Sequence, residues 1–113
     1  MKILVTGASG FIGTRFCDTF PGKIFILSRV NSVGEIIKRI KEVNPDCIVH
    51  LAGMFVGKHT INDIDPLIDS NIRFGARVLE AMKECGIKRI VTAQTYWQHY
   101  NFNGYSPVNL YAA

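Results

Sequence analysis

Three glycines that follow the first apolar segment have the spacing of a phosphate-binding turn, in Thr6-Gly7-Ala8-Ser9-Gly10-Phe11-Ile12-Gly13. The first glycine permits a sharp turn, the second lets the backbone approach a pyrophosphate, and the third lets the next helix pack closely. Free N–H groups and the positive end of the helix dipole would face the phosphates. The alternative is a tight turn that binds nothing. The motif predicts a dinucleotide cofactor site whose candidate residues are Gly7, Ser9, Gly10, Phe11, Ile12 and Gly13.

The end of the second apolar segment bears on which dinucleotide is bound. An NAD-preferring site has an acidic residue there, about 20 residues past the first glycine, which binds the ribose 2′-hydroxyl. This chain has Ser28 and Arg29 instead. A hydroxyl and a guanidinium bind a 2′-phosphate, which a carboxylate would repel. We therefore predict NADP(H), with NAD(H) as the alternative; the other interpretation of Arg29 is a solvated loop residue.

The chain alternates short apolar strands with helices. Strands are predicted at 2–6, 23–28, 47–51 and 88–93. Helices are predicted at 11–20, between a Ser32/Glu35 capping box and Pro45, and from 65 to 85. The last has apolar residues at helical spacing, namely Ile68, Ile72, Leu79 and Met82. The connections are too long for hairpins, so we expect an α/β, Rossmann-type, doubly wound parallel sheet. Ligands of such sheets lie beyond the carboxyl ends of the strands.

Further stretches, in chain order, identify a family. They are the glycine turn, Asp46-Cys47-Ile48-Val49-His50-Leu51-Ala52-Gly53, Asn71, and Arg89-Ile90-Val91 leading to Thr95. The chain resembles the short-chain dehydrogenase/reductase superfamily and, within it, the extended NAD(P)-dependent epimerase/dehydratase family of nucleotide-sugar enzymes. The resemblance implies cofactor contacts at Leu51, Ala52, Gly53 and Asn71, a nucleotide-sugar substrate, and a homodimer formed through helices such as 66–85. His50 would lie near the cofactor, although a structural histidine at a strand end fits equally well.

The resemblance also implies a catalytic Ser or Thr, with a Tyr and a Lys spaced Y-x-x-x-K. Thr95 occupies the hydroxyl position and Tyr111 the tyrosine position, and the lysine would lie two places past the last residue. A lysine charge would lower the tyrosine pKa, so that the phenol could exchange a proton with the substrate, while hydride transfer belongs to the nicotinamide. The alternatives are a threonine that ends a strand and an aromatic helix residue.

Aromatic residues crowd the loop between these two positions. They can stack on a sugar or a base, or they can pack the loop itself. Segments 95–100 and 107–111 resemble CDP-sugar 4-keto reductases. The aromatic and imidazole side chains concerned are Tyr96, Trp97, His99, Tyr100, Phe102 and Tyr105.

Composition excludes several function classes. The 113 residues, 48% hydrophobic and 19% charged, fit one globular domain at 1–113. No apolar run approaches the roughly 20 residues of a membrane span, so we expect a cytoplasmic protein with no membrane partner. The net charge of +4 includes no basic stripe, which argues against nucleic acid but suits an anionic ligand. The three cysteines are widely spaced with no CxxC, so neither a metal nor a disulfide is expected.

These features predict the N-terminal part of an NADP(H)-dependent nucleotide-sugar oxidoreductase, epimerase or dehydratase. The alternative is a non-catalytic NADP(H)-binding redox sensor or regulatory module, and a lysine four residues after Tyr111 would favour the enzyme. We also expect the chain to be a fragment that lacks a C-terminal substrate domain. Only residues 30–43, mostly helix, separate the second and third strands, so we assign no adenine-binding aspartate.

Overall fold

A computed structural model describes residues 1–30, 32–99, 101 and 104–113. Its centre is a parallel sheet of four strands in the order β2-β1-β3-β4. The strands are β1 (Lys2–Thr6), β2 (Lys23–Leu27), β3 (Cys47–His50) and β4 (Ile90–Thr92). The chain moves from β1 to one side and then crosses to the other, so the strand order reverses between β1 and β3. This confirms the predicted α/β Rossmann-type sheet and places its switch point beside the glycine turn.

Helices cover both faces of the sheet. They are α1 (Phe11–Thr19), α2 (Val33–Val43), α3 (Ile64–Ile68) and α4 (Phe74–Cys85). Helices α2 and α4 pack together on one face, where Leu4 and Ile48 meet Ile36 and Val78. Helix α1 covers the other face, over Ile3 and its neighbours. Strand residues alternate between the two cores because successive side chains point to opposite faces.

Most predicted boundaries are confirmed to within one or two residues. The Ser32 hydroxyl caps α2 by accepting from the backbone N–H of Glu35 at 3.2 Å, as the capping box predicts. Helix α2 ends at Val43, and its C-cap residue Asn44, with a left-handed φ of 48°, comes directly before Pro45. Strand β4 is shorter than the predicted 88–93, because it pairs with β3 through only three register positions, from Ile48 with Ile90 to His50 with Thr92.

The predicted helix from 65 to 85 is wrong in its start and its continuity. Thr60 and Asp63 form a capping box at a 3₁₀ turn, Ile61–Asp63, and α3 follows at once. Pro66 is therefore the third residue of α3, where its missing N–H has no intrahelical partner to lose. A π segment, Asp69–Arg73, then separates α3 from α4. The π geometry adds a residue to one turn and so rotates the face that follows.

The apolar side chains at the predicted helical spacing are not all buried. Ile72 and Leu79 are 65% and 54% exposed, and Ile68 is also exposed, whereas Met82 is buried as its spacing predicts. The buried face instead carries Phe74 and Val78. Among the residues that the structure describes, no helix is both long and apolar enough to cross a membrane.

Candidate functional site

The glycine turn is built so tightly that two of its glycines have no room for a side chain. Gly7 has a φ of +70°, and a β-carbon there would lie 2.5 Å from the backbone nitrogen of Ala52. A β-carbon on Gly13 would lie 2.0 Å from the carbonyl oxygen of Gly7. The first glycine thus lets β1 and the segment after β3 approach each other, and the third lets α1 pack beneath the turn.

Gly10 differs from the other two because its open side faces solvent. Its φ is −76°, and a β-carbon there would contact only the Gly7 carbonyl oxygen, at 3.4 Å. It is the N-cap residue of α1, and no side chain of the described residues caps this helix end. The N–H groups of the first helical turn therefore face the solvent side of the turn with the positive end of the helix dipole. This arrangement fits a phosphate group.

A cleft of about 630 Å³, called here the first cleft, opens directly over this turn. Beyond the predicted positions, the first cleft also contains Thr14, Cys17 and Asp18. These three follow Gly10 at helical spacing, which is the signal that could have identified them. Phe11 is 97% exposed at the helix start. The predicted residues that line the cleft are Gly7, Ser9, Gly10, Ser28, Arg29, Leu51, Ala52 and Gly53.

The end of β2 supplies the polar corner of the first cleft. Ser28 and Arg29 are both exposed there. The Nη2 group of Arg29 donates a hydrogen bond of 2.6 Å to the hydroxyl of Ser70 in the π segment. Ser70 is fully buried. Sequence reasoning missed this contact because 41 residues separate its partners.

A second cleft, of about 560 Å³, lies on the other side of the segment after β3. Leu51, Ala52 and Gly53 line both clefts and are called here the shared wall. The structure brings both predicted catalytic residues, Thr95 and Tyr111, to the second cleft. Ile12, His50 and Asn71 line it as well. The two clefts therefore adjoin at the segment that follows β3.

Asn71 fixes the backbone that follows the shared wall. Its Oδ1 accepts from the N–H of Met54 at 2.6 Å, and its Nδ2 donates to the carbonyl oxygen of Met54 at 2.9 Å. Asn71 lies in the π segment, on the side that faces the second cleft. Its amide group is therefore occupied by the protein backbone, although the residue also lines the second cleft.

A buried threonine fixes the start of the shared wall. The Thr6 hydroxyl at the end of β1 accepts from the N–H of Ala52 at 3.2 Å and lies 2.7 Å from Nδ1 of His50. Burial lowers the pKa of His50 below its ordinary value of 6.5, so the ring is neutral at pH 7. The histidine thus has the structural partner that one of the two sequence interpretations expected.

The two catalytic candidates are each held by local contacts. The Thr95 hydroxyl accepts from the N–H of Trp97 at 3.3 Å and caps the 3₁₀ turn Tyr96–Gln98. Its own hydrogen can still be donated to an oxygen in the second cleft. Tyr111 packs edge-on against Phe55, with ring centroids 5.0 Å apart. Asn109 ties this segment to the loop after the shared wall, because its Nδ2 donates to the carbonyl oxygen of Gly57 at 3.3 Å.

The loop aromatics pack partly among themselves. Trp97 lies against Phe55 with centroids 5.6 Å apart, and His99 lies against Tyr105 at 6.4 Å. Tyr100 and Phe102 lie outside the described residues. Phe55, which the sequence analysis did not single out, therefore connects Trp97 with Tyr111 at the mouth of the second cleft.

Comparison with known proteins agrees with this geometry. The model of the NAD dependent epimerase/dehydratase family matches residues 3–101. CDP-abequose synthase of Yersinia pseudotuberculosis is 24% identical over 117 residues, which cover 87% of this chain and 41% of that protein. The structure of Thermus thermophilus UDP-glucose 4-epimerase with NAD is similar at a TM-score of 0.86 and 22% identity, over 99% of this chain and 46% of that one.

A reductase structure is similar as well. The dTDP-4-dehydrorhamnose reductase of Bacillus anthracis str. Ames, in complex with NADP, matches at a TM-score of 0.82 and 18% identity, over 98% of this chain and 45% of that one. At these identities the structural likeness establishes the fold. The chain spans less than half the length of each of these relatives.

Proposed function

Because this chain belongs to the NAD-dependent epimerase/dehydratase family, we propose that it is the dinucleotide-binding part of an NADP(H)-dependent enzyme that acts on nucleotide sugars. The observation that carries the proposal is the pair of clefts joined at Leu51, Ala52 and Gly53. The first cleft holds the groups suited to phosphates, and the second holds Thr95 and Tyr111, whose hydroxyl groups are suited to proton transfer. An enzyme of this class needs both sets of groups on either side of one bound cofactor.

The first cleft fits the dinucleotide in size and in chemistry. Its volume of about 630 Å³ is within the range of small-molecule sites. The turn at Gly7 and Gly10 would hold the pyrophosphate, because Gly10 has no β-carbon to fill the open side of the turn. Ser28 and Arg29 would hold the 2′-phosphate of NADP(H). When bound, the nicotinamide supplies or accepts a hydride.

The second cleft would position the substrate oxygen. Thr95 would donate its free hydroxyl hydrogen to that oxygen, and Tyr111 would give or take a proton at its phenol group. A lysine four residues after Tyr111, which the family resemblance implies, would assist the proton transfer. The shared wall separates these groups from the phosphate turn. The first cleft would thus bind the cofactor phosphates, and the second would hold the groups that transfer protons.

The proposed substrate is a 4-keto nucleotide sugar. Of the proteins that resemble this chain, dTDP-4-dehydrorhamnose reductase is named for a 4-keto nucleotide sugar, and CDP-abequose synthase is named for a CDP-linked sugar. The ring of Phe55, which lines the second cleft and packs against Trp97, suits the apolar face of a sugar ring. The homodimer implied by the family resemblance stays a prediction, which sedimentation of the intact protein would check.

The test is NADPH consumption by the intact protein with a panel of 4-keto nucleotide sugars, followed through the absorbance of the reduced nicotinamide. Tyr111→Phe should reduce turnover by about 100-fold or more, because the phenol proton is lost. Tyr105→Phe removes a phenol that lies outside both clefts and donates to the carbonyl oxygen of Ala113, so it is the control for loss of a phenol hydrogen bond in the same segment and should keep most of the turnover. Tight NADPH binding without turnover on any sugar would instead favour a redox-sensing regulatory module.

A further inference from the structure

Arg29 is an exposed arginine whose guanidinium is nevertheless held in place. Its Nη2 group donates to the Ser70 hydroxyl at 2.6 Å, and the rest of the residue lines the first cleft. A free arginine at this position would sample many rotamers. An arginine anchored at one nitrogen samples far fewer, so less entropy is lost when a ligand binds.

Ser70 is an unusual anchor because it is fully buried, in the π segment between α3 and α4. Buried hydroxyl groups need a hydrogen-bond partner, and a charged donor forms a stronger bond than a neutral one. If Arg29 moved away from Ser70, the buried hydroxyl would lose its charged hydrogen-bond partner, which costs free energy. The contact joins the end of β2 to the helical layer and fixes the side chain across a gap of 41 residues in sequence.

The anchored guanidinium keeps most of its binding capacity. Arginine carries five N–H donors in a planar fork, and the contact with Ser70 uses one of them. The remaining donors can bind a phosphate through two parallel hydrogen bonds. The corner also contains Ser28, a second donor to the same group.

We propose that Ser70 is a specificity-determining positioning residue, which holds Arg29 ready for the 2′-phosphate and so gives the site its preference for NADP(H) over NAD(H). The inference rests on the proposed function, and it adds to the cofactor site a residue that is buried beneath the polar corner of the first cleft. Ser70 acts through Arg29 and makes no contribution to a ligand that lacks the 2′-phosphate.

The experiment titrates two fragments of the cofactor into the intact protein by calorimetry. Adenosine 2′,5′-bisphosphate and adenosine 5′-monophosphate differ only in the 2′-phosphate. Ser70→Ala should weaken the bisphosphate about three- to tenfold, because only the ordering of one side chain is lost, and should leave the monophosphate unchanged. Arg29→Ala should weaken the bisphosphate more, by about tenfold or beyond, because a charge-assisted contact disappears.

The double variant Ser70→Ala/Arg29→Ala separates positioning from a general structural role. If Ser70 acts through Arg29, the double variant binds the bisphosphate as Arg29→Ala does. Lys38→Ala, which removes one positive charge from an exposed position outside both clefts, controls for net charge. Arg29→Lys provides a second variant that keeps the buried serine intact and the charge in place but lacks the fork. It should lose part of the preference for the bisphosphate.

Each contrary result has a distinct meaning. The inference would be overturned if Ser70→Ala weakened the binding of both fragments equally, or if the losses of binding free energy in the two single variants added fully in the double variant. Either result would leave the proposed function standing. Failure of the parent protein to bind either fragment would contradict the proposed dinucleotide site itself. Binding of both fragments with equal affinity by the parent would remove the 2′-phosphate preference and with it the role of Ser70.

Discussion

Asn71 pairs with Met54 as a neighbouring strand would, because its side-chain amide both accepts from and donates to the backbone of that single residue. The pairing extends the order of the sheet beyond β3, where no strand continues. A β-carbon on Gly53 would lie 3.4 Å from the Asn71 Oδ1, so the wall fits closely against this amide. The boundary between the two clefts is thus fixed by a residue of the helical layer.

Replacing Asn71 should therefore loosen the shared wall. Asn71→Ala removes both hydrogen bonds and should lower the free energy of unfolding by about 1–3 kcal/mol, measured by urea denaturation. It should also weaken dinucleotide binding, because the wall lines both clefts. Asn62→Ala, at an exposed position in the 3₁₀ turn before α3, is the control and should change neither quantity. Unchanged stability in Asn71→Ala would mean that the Met54 backbone is equally well satisfied by water.

The glycine turn offers two substitutions with opposite expected effects. Gly10→Val places a branched side chain on the open side of the turn, with a permitted φ of −76°. The protein should fold, with an unchanged circular dichroism spectrum, and lose dinucleotide binding. Gly13→Val forces a side chain against the Gly7 carbonyl oxygen, 2.0 Å from the β-carbon, and should prevent stable folding. A folded Gly10→Val variant that still binds NADPH would show that the turn is only structural.

The sequence predicted this turn because its requirements are local. The glycine spacing, the preceding apolar strand and the following helix all lie within residues 2–20. The contacts of Arg29 with Ser70 and of Asn71 with Met54 could not be predicted in the same way, because each joins segments brought together only by the folded sheet. The π segment was also missed, since apolar spacing at Ile72 and Leu79 satisfies a continuous helix equally well. The apolar spacing identifies one face of a helix but does not show whether another part of the protein covers that face.

His50 should make stability depend on pH. Burial lowers its pKa in the folded protein below the ordinary 6.5, so the unfolded chain takes up a proton at a higher pH than the folded one. Between these two values the unfolded state binds more protons, and the free energy of unfolding rises with pH. The contribution is complete above pH 6.5 and declines as the pH falls through that window. Urea denaturation at a series of pH values measures this slope.

His50→Asn should flatten the slope, because asparagine can still bond to Thr6 but does not titrate. His59→Asn changes an exposed histidine outside both clefts and serves as the control. An identical slope below pH 6.5 in the two variants and the parent would show that His50 does not cause the pH dependence.

Phe55 should affect catalysis without affecting cofactor affinity. Its ring lies edge-on to Tyr111 at 5.0 Å and against Trp97 at 5.6 Å, and it follows directly on the clamped Met54. The Phe55 ring therefore links the backbone that Asn71 holds to the position of the Tyr111 ring. Phe55 is 61% exposed, so Phe55→Ala removes little core packing and should change the free energy of unfolding by less than about 1 kcal/mol.

Turnover should respond far more than stability, because a catalytic group tolerates little misplacement. Phe55→Ala should lower kcat on the sugar substrate by about tenfold or more. The Kd for NADPH should stay the same, since Phe55 lines the second cleft and not the phosphate turn. Ile61→Ala removes another exposed apolar side chain, 83% exposed and outside both clefts, and should leave kcat unchanged. If Phe55→Ala turns over as fast as Ile61→Ala, the orientation of Tyr111 does not depend on the loop that Asn71 holds, and the second cleft must position its phenol by other contacts.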